Sequence, residues 1–205
     1  MRRIALCVLV CLPCLCQTLS IGAKGGVRAS GELEGSGTSE SKRYLIGPAL
    51  EVKLPFRFAV EVDALYSRFG LRSSDAIFGN IFNQSWRADS WEFPVLAKFE
   101  PVRPIFFEGG YVPRSLRGST HFDSILADLS GNRTRQIFDQ KTDYDVSHGI
   151  VMGGGVDLPL GPLRLSPEVR YTRWLNRAFD NSGSRGFFLQ SSQNRVEILV
   201  TIWSK

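Results

Sequence analysis

Ser147 and His148, with Asp143 and Asp145 just upstream and His121 in the same polar stretch, supply the residue types of a nucleophile, a general base and an orienting acid. Their spacing works against that chemistry. Successive side chains of an extended chain point to opposite faces, so sequence adjacency does not bring Ser147 and His148 into one site. Asp139, Asp143 and Asp145 offer oxygens to a calcium ion, yet the stretch lacks the glycine and closing glutamate of an EF-hand loop and reads as a solvated loop. Gly153-Gly154-Gly155 precedes no Lys-Ser/Thr pair and opens no helix, which argues against a phosphate cradle. Glycines inside a strand instead leave room for bulky neighbours. The expectation is a protein that is no enzyme, with no catalytic, cofactor-binding or metal-binding residue and no cofactor.

The elements that would carry such residues begin after a targeting segment. Met1-Arg2-Arg3 is followed by about a dozen apolar residues, the size of a secretory h-region. Cys14-Leu15-Cys16 places small side chains at the first and third positions before Gln17, so cleavage is expected after Cys16. That divides the chain into a signal at 1–16 and one domain at 17–205. An acylated Cys16 or Cys11 is the alternative, disfavoured by the bulk of Leu15 and Val10. All four cysteines lie in 1–16, which leaves the mature chain without thiol, disulfide or Cys-metal chemistry. Removing Arg2 and Arg3 takes 25 basic residues to 23 against 20 acids, a net charge of +3. The remaining bases are interleaved with acids, unlike a nucleic-acid-binding face, and no nucleic acid partner is expected.

From Leu19 to Trp203 the hydrophobic pattern has period two, without a sustained helical repeat. Eight strands are predicted, at about 19–29, 43–54, 56–67, 87–99, 104–114, 148–158, 163–173 and 194–203. The gaps at 54–55, 100–103 and 159–162 are tight and carry turn residues. Those at 30–42, 68–86, 115–147 and 174–193 are long and polar. Strict alternation sends every long connection to one end and every tight turn to the other. That sorting, with an even number of antiparallel strands, suits a transmembrane barrel.

Face assignment points the same way. Val196, Ile198, Val200 and Ile202 oppose Arg195, Glu197 and Thr201, with Leu199 the exception; Leu163, Leu165, Pro167, Val169 and Tyr171 oppose Arg164, Ser166, Glu168, Arg170 and Thr172. Phe56, Phe58, Phe99 and Phe107 fall near the turns, and Tyr44, Tyr66, Trp91 and Tyr171 nearer the long loops, as two membrane interfaces select. If the apolar faces meet lipid, the lumen receives Lys24, Arg28, Glu51, Lys53, Arg57, Glu61, Asp63, Glu92, Lys98, Glu108, Asp157, Arg164, Glu168, Arg170, Arg195 and Glu197. Bases and acids are equal in number there, so the interior should be a polar plug rather than a channel.

Through Ser20-Ile-Gly-Ala-Lys-Gly-Gly-Val27, through Tyr44 to Phe58 and Glu61 to Tyr66, and through Arg195 to Trp203, the chain resembles the small outer-membrane β-barrel proteins of the OmpA/OmpX type. Members usually end in a lipid-facing aromatic; here Trp203 has the lumen parity and is followed by Ser204-Lys205. The resemblance implies an all-β fold, an eight-stranded antiparallel up-and-down transmembrane β-barrel with short periplasmic turns and long extracellular loops. It implies location in a Gram-negative-type outer membrane, contact with outer-membrane lipid and lipopolysaccharide, insertion by the barrel-assembly machinery and a monomeric state. The Asn132-Arg133-Thr134 sequon carries little meaning in such an envelope. The expected role is structural or surface interaction through the loops, in adhesion, binding or envelope integrity, with an extracellular ligand or surface as partner. Two alternatives stand beside it: a lipid-modifying hydrolase or acyltransferase using Ser147, His148 and Asp145, and a soluble exported lipocalin-like barrel holding an apolar ligand.

Overall fold

The computed structural model describes residues 18–30, 33–34, 43–77, 80–127, 133–143, 146–177 and 190–204; the expected signal at 1–16, Asn132 and Asp145 lie outside them. Eight antiparallel strands form the wall. They are β1 (Thr18–Arg28), β2 (Tyr44–Lys53), β3 (Phe58–Asp63 continued by Leu65–Ile77), β4 (Asn80–Glu92 continued by Val95–Val102), β5 (Ile105–Ala127), β6 (Ser147–Val156 continued by Leu158–Leu160), β7 (Leu163–Trp174) and β8 (Asn194–Ser204). Each pairs with its neighbours in the chain. β1 closes the tube, pairing with β8 from Gly22↔Trp203 to Arg28↔Glu197 and with β2 from Thr18↔Lys53 to Val27↔Tyr44. Closure satisfies the ladder donors and acceptors of every strand in the band, which a sheet must do where no water can reach an open edge.

Alternation places the side chains as the sequence pattern requires. Along β8, Arg195, Glu197, Leu199, Thr201 and Trp203 are buried while Ile198, Val200 and Ile202 are exposed. Leu199, odd in its own strand, meets Leu45 and Leu65 in a small apolar cluster inside the tube. Exposed apolar residues therefore form the outer wall, and buried ionisable ones fill the centre. An ordinary soluble barrel has the reverse arrangement; this is the construction of a transmembrane barrel.

Two expectations about the connections are corrected. Segments 68–86 and 115–147 are not simple loops. β3 and β4 stay paired from Leu65↔Glu92 to Ile77↔Asn80, and β4 pairs with β5 out to Ile81↔Ile125. A further arm, Arg133–Asp143, pairs with β5 from Arg117↔Asp143 to Ala127↔Arg133. One side of the barrel thus rises into a four-stranded wall. Hairpin neighbours need only backbone pairing there, so the apolar alternation that marks a lipid-facing strand is absent. The other correction is Arg57. Phe56 and Arg57 have φ of 63° and 66° in a tight turn at Pro55–Arg57, which breaks the alternation, and the exposed Arg57 guanidinium donates to the Pro101 carbonyl at 2.5 Å.

Candidate functional site

The lumen is the best-defined chemical environment of the molecule. Fourteen ionisable side chains are buried among the described residues, seven cations (Lys24, Arg28, Lys98, Arg114, Arg164, Arg170, Arg195) and seven carboxylates (Glu51, Glu61, Asp63, Glu92, Glu108, Glu168, Glu197). Burial of this many charges is tolerable only when they are paired and hydrogen-bonded. Toward the tight turns they form one network. Arg170 donates from Nε to Glu108 at 2.7 Å, from Nη1 to Asp63 at 2.8 Å and from Nη2 to Glu61 at 2.7 Å, and its Nε lies 2.9 Å from Glu168. The Lys24 ammonium bonds Glu61, Asp63 at 3.1 Å and Glu168 at 2.9 Å. Lys98 joins Glu51 at 3.2 Å to Glu61 at 2.8 Å, and Arg164 joins Glu51 at 2.5 Å to Asp157 at 2.6 Å.

Glu61, Glu108 and Glu168 bring carboxylate oxygens within 4.8 Å of one another, a donor set of the kind a divalent cation uses. Lys24 and Arg170 already bond oxygens of this trio, so the chain itself supplies the positive charge between them. Gly153 and Gly155 make this packing possible. A Cβ on Gly153 would stand 2.9 Å from Glu108 Oε1, and one on Gly155 2.7 Å from Phe106 Cζ. Gly153 and Gly155 make room for lumen side chains, while a Cβ on Gly154, on the outer face, would stand 3.3 Å from Phe107 Cδ1; the triplet is strand spacing, as its sequence context indicates.

Toward the long connections the lumen is built around an indole. The Arg114 guanidinium lies 3.9 Å and that of Arg195 4.9 Å from the centre of the Trp174 ring. Arg195 also bonds both oxygens of Glu92, at 2.8 Å through Nη1, and its Nε lies 2.7 Å from Glu197. Arg114, Trp174 and Phe106 are absent from the lumen predicted above. The signal was in the sequence: carrying the alternation of Glu108 backward one step reaches Phe106 and forward three reaches Arg114, and Arg170 leads to Trp174 in two steps.

The residues weighed as a catalytic constellation separate. Ser147 is buried on the lumen side and His148 is exposed on the outer wall, where its Nδ1 bonds the Tyr111 hydroxyl and the rings stack at 5.8 Å. His121 pairs with Asp139 on the raised wall, and the backbone of Asp143 is opposite Arg117. Asp145 lies outside the described residues. The aromatic bands do assemble. Phe58 packs on Phe99 at 4.9 Å near the turns, and Tyr66 on Trp91 at 5.3 Å near the raised wall, with Phe93 stacked beyond at 6.3 Å.

No family model matches the chain, and no curated protein matches it. Similar solved structures include Neisserial surface protein A, 14% identical over 90% of this chain and 96% of that one, with a TM-score of 0.42. They also include Ail, the attachment invasion locus protein of Yersinia pestis, at 10% identity over 90% and 96% with a TM-score of 0.43, and a major outer membrane protein from Thermus thermophilus, at 12% over 92% and 99% with a TM-score of 0.49.

Proposed function

We propose that this barrel is a non-enzymatic integral protein of the outer membrane that works through its raised exterior wall, as a surface-interaction or envelope-stabilising element. The observation that carries this reading is the filled lumen: among the described residues seven cations and seven carboxylates interlock where a pore or a ligand cavity would have to be. A barrel of eight strands leaves a bore that side chains fill, so conduction is not expected. Among the described residues the lumen is filled mainly by charged side chains rather than opened into an apolar chamber, which argues against the lipocalin-like alternative. The lipid-modifying alternative needs Ser147 and His148 on one face, and they occupy opposite faces. What remains available to partners is the outside: acyl chains against the exposed Ile, Leu, Val and Phe of the band, and an extracellular ligand or surface against the wall built by β3, β4, β5 and the 133–143 arm. Insertion by the assembly machinery and a monomeric state accord with a closed tube that leaves no strand of the band unpaired.

The test replaces residues 120–140 by a two-residue turn. The variant is expected to fold, insert and show the same heat-modifiable gel migration as the intact chain, while adhesion of whole cells or their resistance to detergent falls. The intact protein is expected to give no single-channel steps in a planar bilayer. Unchanged surface behaviour in the shortened variant, or stepwise conductance by the intact one, would overturn the reading.

A further inference from the structure

We propose that Ser204 is the latch of the barrel: its hydroxyl makes the last rung between the first and last strands, where ladder pairing has run out, and holds that seam shut in lipid. β1 and β2 are paired from Thr18↔Lys53 onward, whereas β1 and β8 are paired only from Gly22↔Trp203. β8 runs as far as Ser204, which is opposite Leu163 on β7. On its β8 side, β1 therefore continues through Thr18–Ile21 with no described strand beside it. At the first step of that stretch the Ser204 hydroxyl takes the place of a strand. It accepts from the Ile21 N–H at 3.4 Å and donates to the Ile21 carbonyl at 2.9 Å. One side chain thus satisfies both backbone groups that Ile21 turns toward the seam.

The location makes these two bonds matter. Ile21 is opposite Leu50, Leu50 opposite Val62 and Val62 opposite Val95, and all four side chains are exposed on the outer wall. This row lies four residues along the strands from the Phe58–Phe99 pair near the turns, inside the lipid-facing band. Water is not at hand there for an unpaired N–H or carbonyl, so loss of the hydroxyl leaves two polar groups against hydrocarbon. An open rung would also offer the β1 edge to other strands. The lumen side of the seam is fixed separately. Gly22 lies against the Trp203 indole, where an added Cβ would stand 2.7 Å from Cε3, and Trp203 Nε1 donates to Ser166 Oγ on β7 at 3.1 Å. Trp203 therefore ties β7, β8 and β1 together from inside, and Ser204, of outward parity, ties β8 to β1 from outside. A phenylalanine at that outward position could pack against lipid but could not bond Ile21; a serine can.

The test is amide hydrogen exchange, read by NMR on the chain folded in lipid nanodiscs. Ser204→Ala is expected to speed exchange of the Ile21 amide about tenfold, the effect of losing one hydrogen bond at a rung that opens locally. Ser204→Thr keeps the hydroxyl and is expected to stay within about threefold of the parent chain. Both variants should retain heat-modifiable migration, and the amides shared by β6 and β7 between Gly149↔Trp174 and Gly155↔Glu168 should exchange as in the parent. An Ile21 amide as slow in Ser204→Ala as in the parent, a threonine variant as fast as the alanine one, or equal speeding of the β6–β7 amides would overturn the latch. The comparison is internal to one fold and does not depend on which membrane holds it.

Discussion

Trp203 and Trp174 fill the lumen at its two ends, and the chain surrounds them differently. At the turn end the cations face the indole from a distance, Arg164 at 5.2 Å and Lys98 at 5.6 Å from the Trp203 ring, while carboxylates hold them; the Trp203 Nε1 donates to Ser166 Oγ at 3.1 Å. At the loop end Arg114 at 3.9 Å lies against Trp174 itself, with Arg195 at 4.9 Å. One end neutralises buried charge by ion pairs, the other in part by an aromatic face. Both plug the tube, but they should fail in different ways.

The largest expected effect comes from breaking the turn-end network. Arg170→Met leaves four buried carboxylates short of a shared partner and should cost about 3–5 kcal/mol, read as a lower urea midpoint for the chain folded in lipid vesicles. A loss no larger than that of Arg114→Met would erase the distinction between the ends. Next comes the aromatic contribution. Trp174→Leu keeps an apolar filler but removes the cation contacts and should cost about 1–2 kcal/mol more than Trp203→Leu under the same measurement. A smaller effect is expected from Gly149→Ala, because the added methyl would stand 3.0 Å from Trp174 Cε3 and 3.0 Å from Val112 Cγ1; roughly 1 kcal/mol of overpacking should appear as a lowered midpoint. An alanine there without effect would mean the loop-end packing yields easily.

The smallest effect lies outside the tube, on the raised wall. Asp123 accepts two hydrogen bonds from Arg135, at 2.8 and 2.7 Å, and this pairing holds its carboxyl below the ordinary carboxylate value. A depressed pKa contributes stability above the unfolded value and loses it as pH falls through the folded one, but at an exposed site that contribution is too screened to move an unfolding midpoint. Arg135→Gln should raise the Asp123 titration seen by NMR and leave the urea midpoint where it was. A measurable midpoint shift would mean the wall and the lumen are coupled.

The eight barrel strands, the inward set of charges and the outward apolar band were legible because side-chain direction alternates along any strand regardless of its partners. Lys24, Glu61, Asp63, Glu168 and Arg170 could be placed in the lumen from their own strands alone. Even the unusual parity of Trp203 was readable, and the structure keeps it. Arg57 was misplaced because a turn with positive φ at Phe56 and Arg57 delays the alternation, which begins at Phe58, two residues later than the polarity suggests. Segments 68–86 and 115–147 read as loops because their polar composition has no lipid to face, while the pairing that makes them strands comes from other chain segments.

By itself the sequence determined the period of two, the sorting of long and short connections, and which residues share a face, since each depends only on neighbours along the chain. Which cation meets which carboxylate, the stacking of Arg114 on Trp174 and the rise of the wall above one side of the barrel were decided by tertiary structure. These depend on the stagger between strands that closes the tube, and that stagger is a property of all eight strands together.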